Sequence, residues 1–135
     1  MASMVAYVLV PLIGYMGLWA MGIALFLAYF RLFRIRVDVR RPAAMIDELP
    51  PYLAIATVPV CSFISFFVTA KAIVHLFGLP PGAAMLWIAL DALSATVILD
   101  ALITVGLEKV DIRSFPLSLM YALAWIVIVP AVMLA

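Results

Sequence analysis

The sequence has few charged residues, one cysteine and one histidine, and each scarcity excludes a class of protein. Charged residues make up 11% of the 135 positions and hydrophobic residues 70%, whereas soluble domains contain about 25% and about 45–50%. The net charge of +1 gives no overall field that would attract nucleic acid. A lone cysteine and a lone histidine predict neither an internal disulfide nor a haem or dedicated metal site. We therefore expect no cofactor and no nucleic-acid partner.

Four long apolar segments are present instead, at about 4–30, 50–77, 83–106 and 116–135. A helix needs about 20 apolar residues to cross a bilayer core, and each segment is long enough. The first segment has no basic residue before it and is too long for a cleavable signal, so we expect it to remain in the protein. The sequence predicts an all-α integral membrane protein with a single domain, 1–135, built as an antiparallel bundle of four transmembrane helices.

Basic residues fall in two of the three connections between these segments. Lys109 and Arg113 lie in the third connection, and the first connection, 31–49, holds five arginines. The positive-inside rule places both connections in the cytoplasm and both termini outside, in a bacterial-type cytoplasmic membrane. The arginines either set this orientation only or also bind anionic lipid head groups or a partner. They are Arg31, Arg34, Arg36, Arg40 and Arg41.

The first helix carries a seam of small residues at alternating three- and four-residue spacing. The seam consists of Gly14, Gly17, Ala24 and Ala28, with Met21 between them. Small residues allow helix backbones to approach closely where lipid removes the hydrophobic driving force for association. The seam therefore predicts either packing against the protein's own helices or a dimer interface.

A lysine and an aspartate are placed symmetrically about the turn between the second and third helices. Lys71 is ten residues before Pro81 and Asp91 is ten residues after it, so an antiparallel hairpin would hold both at one depth. An unpaired charge there costs at least about 2.5–3.5 kcal/mol. We predict an ion pair between Lys71 and Asp91, either as a structural latch or as part of a polar site. His75, one turn nearer the outer surface, is an interfacial packing residue or a proton relay in that site.

Asp100 has no evident partner in its own chain. Thr96 and Thr104 lie four residues before and after it, and together they predict a polar strip on the third helix. Nine residues separate it from Asp91, which places the two carboxyls on opposite helix faces and excludes an acid/base pair. Asp100 is a protonated structural residue, a proton or cation site on a wet path, or a contact to a basic residue of a partner subunit.

The second helix begins with "DELPPYLA" after a basic loop, and this topology resembles the small four-helix glutathione-transferase-like membrane enzymes. The resemblance implies a lipid-phase enzyme or lipid-binding protein with a site between the second and third helices. In that family the second helix supplies Arg, Asn and Glu to hold the thiolate cofactor, and the third supplies Arg and Tyr. Here the second helix has no Arg or Asn and the third is acidic, so the resemblance is limited to topology.

The sequence favours a small non-enzymatic membrane protein that works within an assembly, as a homo-oligomer or as an accessory subunit of a membrane complex. The alternative is a small oligomeric transporter or channel for protons, cations or a small polar solute, with a path lined by Asp100, Asp91, Lys71 and His75. A lipid-phase enzyme is the weaker alternative, because the chain has no phosphate loop, nucleophile elbow or zinc motif.

Overall fold

A computed structural model of the chain describes residues 2–34, 50–78, 83–107 and 117–135. These ranges form α1 (Ala2–Leu32), α2 (Pro51–Phe77), α3 (Ala83–Asp100), a π-helix that continues α3 (Ala101–Leu107), α4 (Leu117–Ile126) and α5 (Ile128–Leu134). No strand occurs in these four ranges, which confirms the all-α prediction.

Within the described ranges, three helices are long and apolar enough to cross a membrane, at Met4–Leu32, Tyr52–Phe77 and Ala84–Ile103, and Ser118–Leu134 forms a shorter apolar segment. Large apolar side chains are exposed on the outer side of each, for example Met16, Val60 and Ile98. This surface suits lipid, since water would disfavour it. The orientation of the bundle relative to a membrane stays a prediction.

Prolines and a glycine set the ends of two helices. α2 begins at Pro51, where the missing N–H would have no partner in any helix. It ends at Gly78, which has a φ of 62° and donates its N–H to the carbonyl of Val74. The break between α4 and α5 lies just before Pro130, which cannot donate a hydrogen bond to the carbonyl of Ile126.

The helices pack in an order that differs from their order in the sequence. α1 packs against both α2 and α3, and the α4–α5 segment also packs against both. α2 and α3 lie at opposite corners of the bundle, and in the described part of the chain they do not pack along each other. The bundle prediction is consistent with this arrangement, but the expected side-by-side hairpin of the second and third helices is wrong.

The small-residue seam of α1 is divided between two environments. A Cβ atom on Gly14 would lie 2.5 Å from Cδ1 and Cε1 of Phe66, and one on Gly17 would overlap Ser65 Oγ. Both glycines therefore allow α1 to approach α2 of the same chain. Ala24 and Ala28 are exposed instead.

Candidate functional site

The most buried charged group in the described ranges is the carboxyl of Asp100, which is 3% exposed at the end of α3. Its Oδ1 accepts a hydrogen bond of 2.8 Å from the hydroxyl of Tyr15 on α1. Its Oδ2 accepts one of 2.7 Å from Nε1 of Trp125 on α4. We refer to Tyr15, Asp100 and Trp125 as the Asp100 clamp, because the carboxyl joins three helices at one point.

Aromatic rings surround the Asp100 clamp. The rings of Tyr15 and Trp19 meet edge to face with centroids 6.2 Å apart, and those of Tyr121 and Trp125 lie 6.0 Å apart. These rings hold the two donors in place and shield the carboxyl from the outside of the bundle. Contact between Asp100 and a basic residue of a partner subunit stays a prediction.

The chemistry of the two donors limits where a proton can lie on Asp100. An indole Nε1–H donates only, so Oδ2 must accept. A tyrosine hydroxyl either donates or accepts, so a proton on the carboxyl would sit on Oδ1 and make Tyr15 the acceptor. The Asp100 clamp can thus hold both the charged and the neutral carboxyl without moving a helix.

Thr96 lies one turn before Asp100 on α3 and is 1% exposed. Its Oγ1 is buried and has no hydrogen-bond partner among the described residues. The side chain of Thr104 lies outside the described residues, so the second half of the predicted polar strip stays a prediction. The π-helix Ala101–Leu107 begins directly after Asp100, and short π-helical segments are frequent at functional sites.

Three further hydrogen bonds join α2 to its neighbours. Ser65 Oγ donates to the carbonyl of Gly14 on α1 at 2.7 Å. Ser62 Oγ donates to the carbonyl of Ala124 on α4, also at 2.7 Å. The hydroxyls of Tyr29 and Thr57 are 3.1 Å apart. The polar side of α2 therefore holds helices together.

The predicted ion pair between Lys71 and Asp91 does not form within the described structure. Lys71 is exposed, and its Nζ lies 5.4 Å from the centroid of the Phe67 ring. Asp91 is partly exposed, and its Oδ2 has no hydrogen-bond partner among the described residues. The physical reason is the packing order, which places α2 and α3 at opposite corners. His75 is exposed on the last turn of α2 and lies one turn after Lys71.

The arginines of the basic connection are only partly described. Two of these arginines are described and exposed, namely Arg31 in the last turn of α1 and Arg34 two residues after its end. A positive charge at this end of the helix interacts favourably with the negative end of the helix dipole. Arg36, Arg40 and Arg41 lie outside the described residues.

Cys61 is buried with a free thiol. Among the described residues no group of three or more His, Cys, Asp or Glu side chains could hold a metal ion.

Sequence reasoning found Asp100 but missed both of its partners. A cation was the expected partner of the Asp100 carboxyl, whereas its partners are two neutral hydrogen-bond donors. A signal was present, because Tyr15 and Trp125 lie well inside apolar segments, while Tyr and Trp are enriched at the two ends of membrane helices.

No protein-family model matches this chain, and no curated protein and no solved structure shows significant similarity to it. The functional inference consequently rests on the geometry.

Proposed function

We propose that the chain is a small, non-enzymatic membrane protein that works as a component of a membrane assembly. The observation that carries the proposal is the Asp100 clamp. The carboxyl that could most readily perform chemistry is occupied by two donors from other helices and serves to join them. Among the described residues, the outer surface of the bundle remains available to other molecules.

The interior hydrogen bonds support a membrane setting. Ser65, Ser62 and Thr57 each form a bond to another helix. In lipid there is no hydrophobic driving force for helix association, so hydrogen bonds between helices and close packing of small residues take that role. Each such bond contributes about 0.6 kcal/mol on average and at most about 1.7 kcal/mol in a membrane protein. Together with Gly14 and Gly17 they support a bundle that holds its shape in lipid, in the bacterial-type cytoplasmic membrane that the sequence predicts.

An assembly is supported by the charges left on the outer surface. Lys71 and Asp91 lie within apolar helices that are long enough to span a membrane, yet neither has a counter-charge in the described part of its own chain. Exposed ionisable groups at such positions are expensive in lipid. Another subunit at these positions would remove that cost.

A second candidate, transfer of a proton or a monovalent cation through the bundle, is favoured by Thr96. Its buried Oγ1 lacks a partner one turn from Asp100, and an unmet buried hydroxyl beside a carboxyl is a place where a water molecule or cation binds. The path would then continue along the π-helix that follows Asp100.

Asp100→Asn separates the two functions. The amide can accept from Trp125 and donate to Tyr15, so it preserves the Asp100 clamp while removing the charge. The assembly function predicts that the wild type and Asp100→Asn have the same native mass and co-purify with the same proteins in mild detergent. Ser94→Ala changes an exposed residue of α3 and is the control, with its native mass and co-purifying proteins expected to be those of the wild type.

Proton or cation transfer predicts a different result for the same variant. Asp100→Asn would keep the native mass but lose the flux into proteoliposomes that the wild type shows. A wild-type protein that purifies as a lone 14.7 kDa chain with an Asp100-dependent flux would reject the assembly function in favour of transport.

A further inference from the structure

We infer that Lys71 of one copy pairs with Asp91 of a neighbouring copy, so that the chain forms a head-to-tail homo-oligomer in the membrane. The inference rests on the proposed assembly function and names the partner as a second copy of the same chain. The sequence predicts that Lys71 and Asp91 pair within one chain, and the inference places the same pair between two copies.

Lys71 presents an uncompensated positive charge on the outside of the bundle. The side chain is exposed, and its Nζ lies over the Phe67 ring at 5.4 Å from the centroid. An aromatic face offsets part of the cost of a desolvated ammonium, but a carboxylate offsets more. No carboxylate of the described residues pairs with Lys71, so its ammonium can donate to a carboxylate of another molecule.

Asp91 presents the opposite charge at another corner of the bundle. Its Oδ2 is shielded and unpartnered, while the side chain as a whole is partly exposed. Rotation about the Cβ–Cγ bond exchanges the two oxygens, because the terminal torsion of aspartate is broad and two-fold. Because the side chain is partly exposed, a cation that approaches α3 from outside can reach the carboxylate, whose Oδ2 has no partner among the described residues.

The two charges lie at similar distances along their helices from the ends that the turn joins. Lys71 is seven residues before Gly78, at the end of α2, and Asp91 is eight residues after Ala83, at the start of α3. At about 1.5 Å per residue these spacings correspond to about 10 and 12 Å from neighbouring helix ends. Only five residue steps separate Gly78 from Ala83, which keeps those two ends at most about 18 Å apart.

Similar distances from adjoining helix ends and positions on opposite corners together favour a ring of copies. Rotation about the membrane normal preserves depth, so it can bring Lys71 of one copy against Asp91 of the next. Such an interface joins two different patches of one chain, and a head-to-tail contact of this kind closes into a ring when the rotation allows it. One contact per copy then satisfies both charges. An anionic lipid phosphate would satisfy Lys71 and leave Asp91 unpaired, and for this reason a second copy fits better.

A charge exchange tests the inference on the full chain in mild detergent and in lipid nanodiscs. The wild type is expected to have a native mass that is a multiple of 14.7 kDa. Lys71→Asp and Asp91→Lys are each expected to lose the oligomer, because each places like charges together. The double variant Lys71→Asp/Asp91→Lys is expected to regain the wild-type mass. Tyr52→Phe, which changes an exposed residue at the other end of α2, is the control and should stay oligomeric.

Helical content by circular dichroism shows whether each single variant folds. If a single variant does not fold, the neutral pair Lys71→Met and Asp91→Asn replaces it, and each is expected to be a folded protein with at least a tenfold weaker oligomer. An oligomer that is unchanged in all variants, or a double variant no better than the singles, overturns the inference and leaves the assembly function standing.

Two further outcomes also separate the inference from the proposed function. A wild type that carries one copy of this chain with other proteins overturns the inference only, whereas a lone monomer overturns both. Native mass spectrometry distinguishes lipid from protein as the partner of Lys71. Loss of a bound anionic lipid in Lys71→Asp, with no effect of Asp91→Lys on mass, would assign Lys71 to a lipid phosphate and reject the ion pair between copies.

Discussion

The Asp100 clamp makes a quantitative prediction about Tyr15. Tyr15→Phe keeps the ring and removes only the hydroxyl that donates to Asp100 at 2.8 Å. The loss leaves a buried carboxylate oxygen without a donor. Hydrogen bonds between membrane helices reach at most about 1.7 kcal/mol, and bonds to charged groups in proteins contribute about 1.5–3 kcal/mol. We therefore expect Tyr15→Phe to lower the free energy of unfolding by about 1–2 kcal/mol.

Asp100→Leu extends the same reasoning to the acceptor. It leaves the Tyr15 O–H and the Trp125 N–H without their acceptor, and an unmet buried donor costs about 1–3 kcal/mol. We expect Asp100→Leu to lower the free energy of unfolding by about 2–5 kcal/mol. If Tyr15 acts through Asp100, Tyr15→Phe loses little or nothing further in the Asp100→Leu background, since the bond is already absent.

The assay is unfolding by titration of SDS into mixed micelles, followed by circular dichroism. Tyr7→Phe is the matched control, because Tyr7 lies on the same helix and is only partly buried. Equal losses for Tyr15→Phe and Tyr7→Phe would refute the Asp100 clamp as a stabilising element. Additive losses in Tyr15→Phe/Asp100→Leu would refute the coupling between the two residues.

Two further predictions concern packing and the unmet hydroxyl. Gly14→Ala is expected to destabilise the bundle by about 1–3 kcal/mol in the same titration, because its Cβ would lie 2.5 Å from Phe66, a fully buried ring with no room to move. Gly22→Ala, where a Cβ meets nothing within 4 Å, is the control, and an equal loss there would contradict the close approach of α1 and α2. Thr96→Val is expected to be neutral or slightly stabilising, since it replaces an unpartnered hydroxyl by a methyl group. A loss above about 1 kcal/mol would show instead that the hydroxyl holds a water molecule or ion.

Local features of the chain were largely readable from its residues. Pro50 and Pro51 lie at the start of α2, where proline fits, and Gly78 marks its end in the left-handed conformation that glycine tolerates. The apolar runs predicted four membrane-spanning helices, whereas the described ranges contain three of that length and a shorter apolar segment, Ser118–Leu134, in place of the fourth. Runs of this kind specify helix because every backbone group bonds within its own segment, so no other part of the chain is needed to decide the outcome.

The partners of individual side chains were not readable in this way. Lys71 and Asp91 were expected to meet because they are equally spaced about a turn, but spacing fixes only depth. Which corner of the bundle a helix occupies depends on all the packing faces at once. Gly14 and Gly17 bring α2 against α1, and Ser62 ties α2 to α4, which leaves α3 at the opposite corner.

The sequence by itself determined helical, apolar segments suited to a membrane, because length and apolar composition are properties of each segment alone. Only the tertiary structure decided that Asp100 is enclosed by Tyr15 and Trp125 while Lys71 and Asp91 are left on the outside. The physical reason is that a hydrogen bond of about 3 Å depends on the order in which helices pack around the bundle, and one-dimensional spacing does not contain that order.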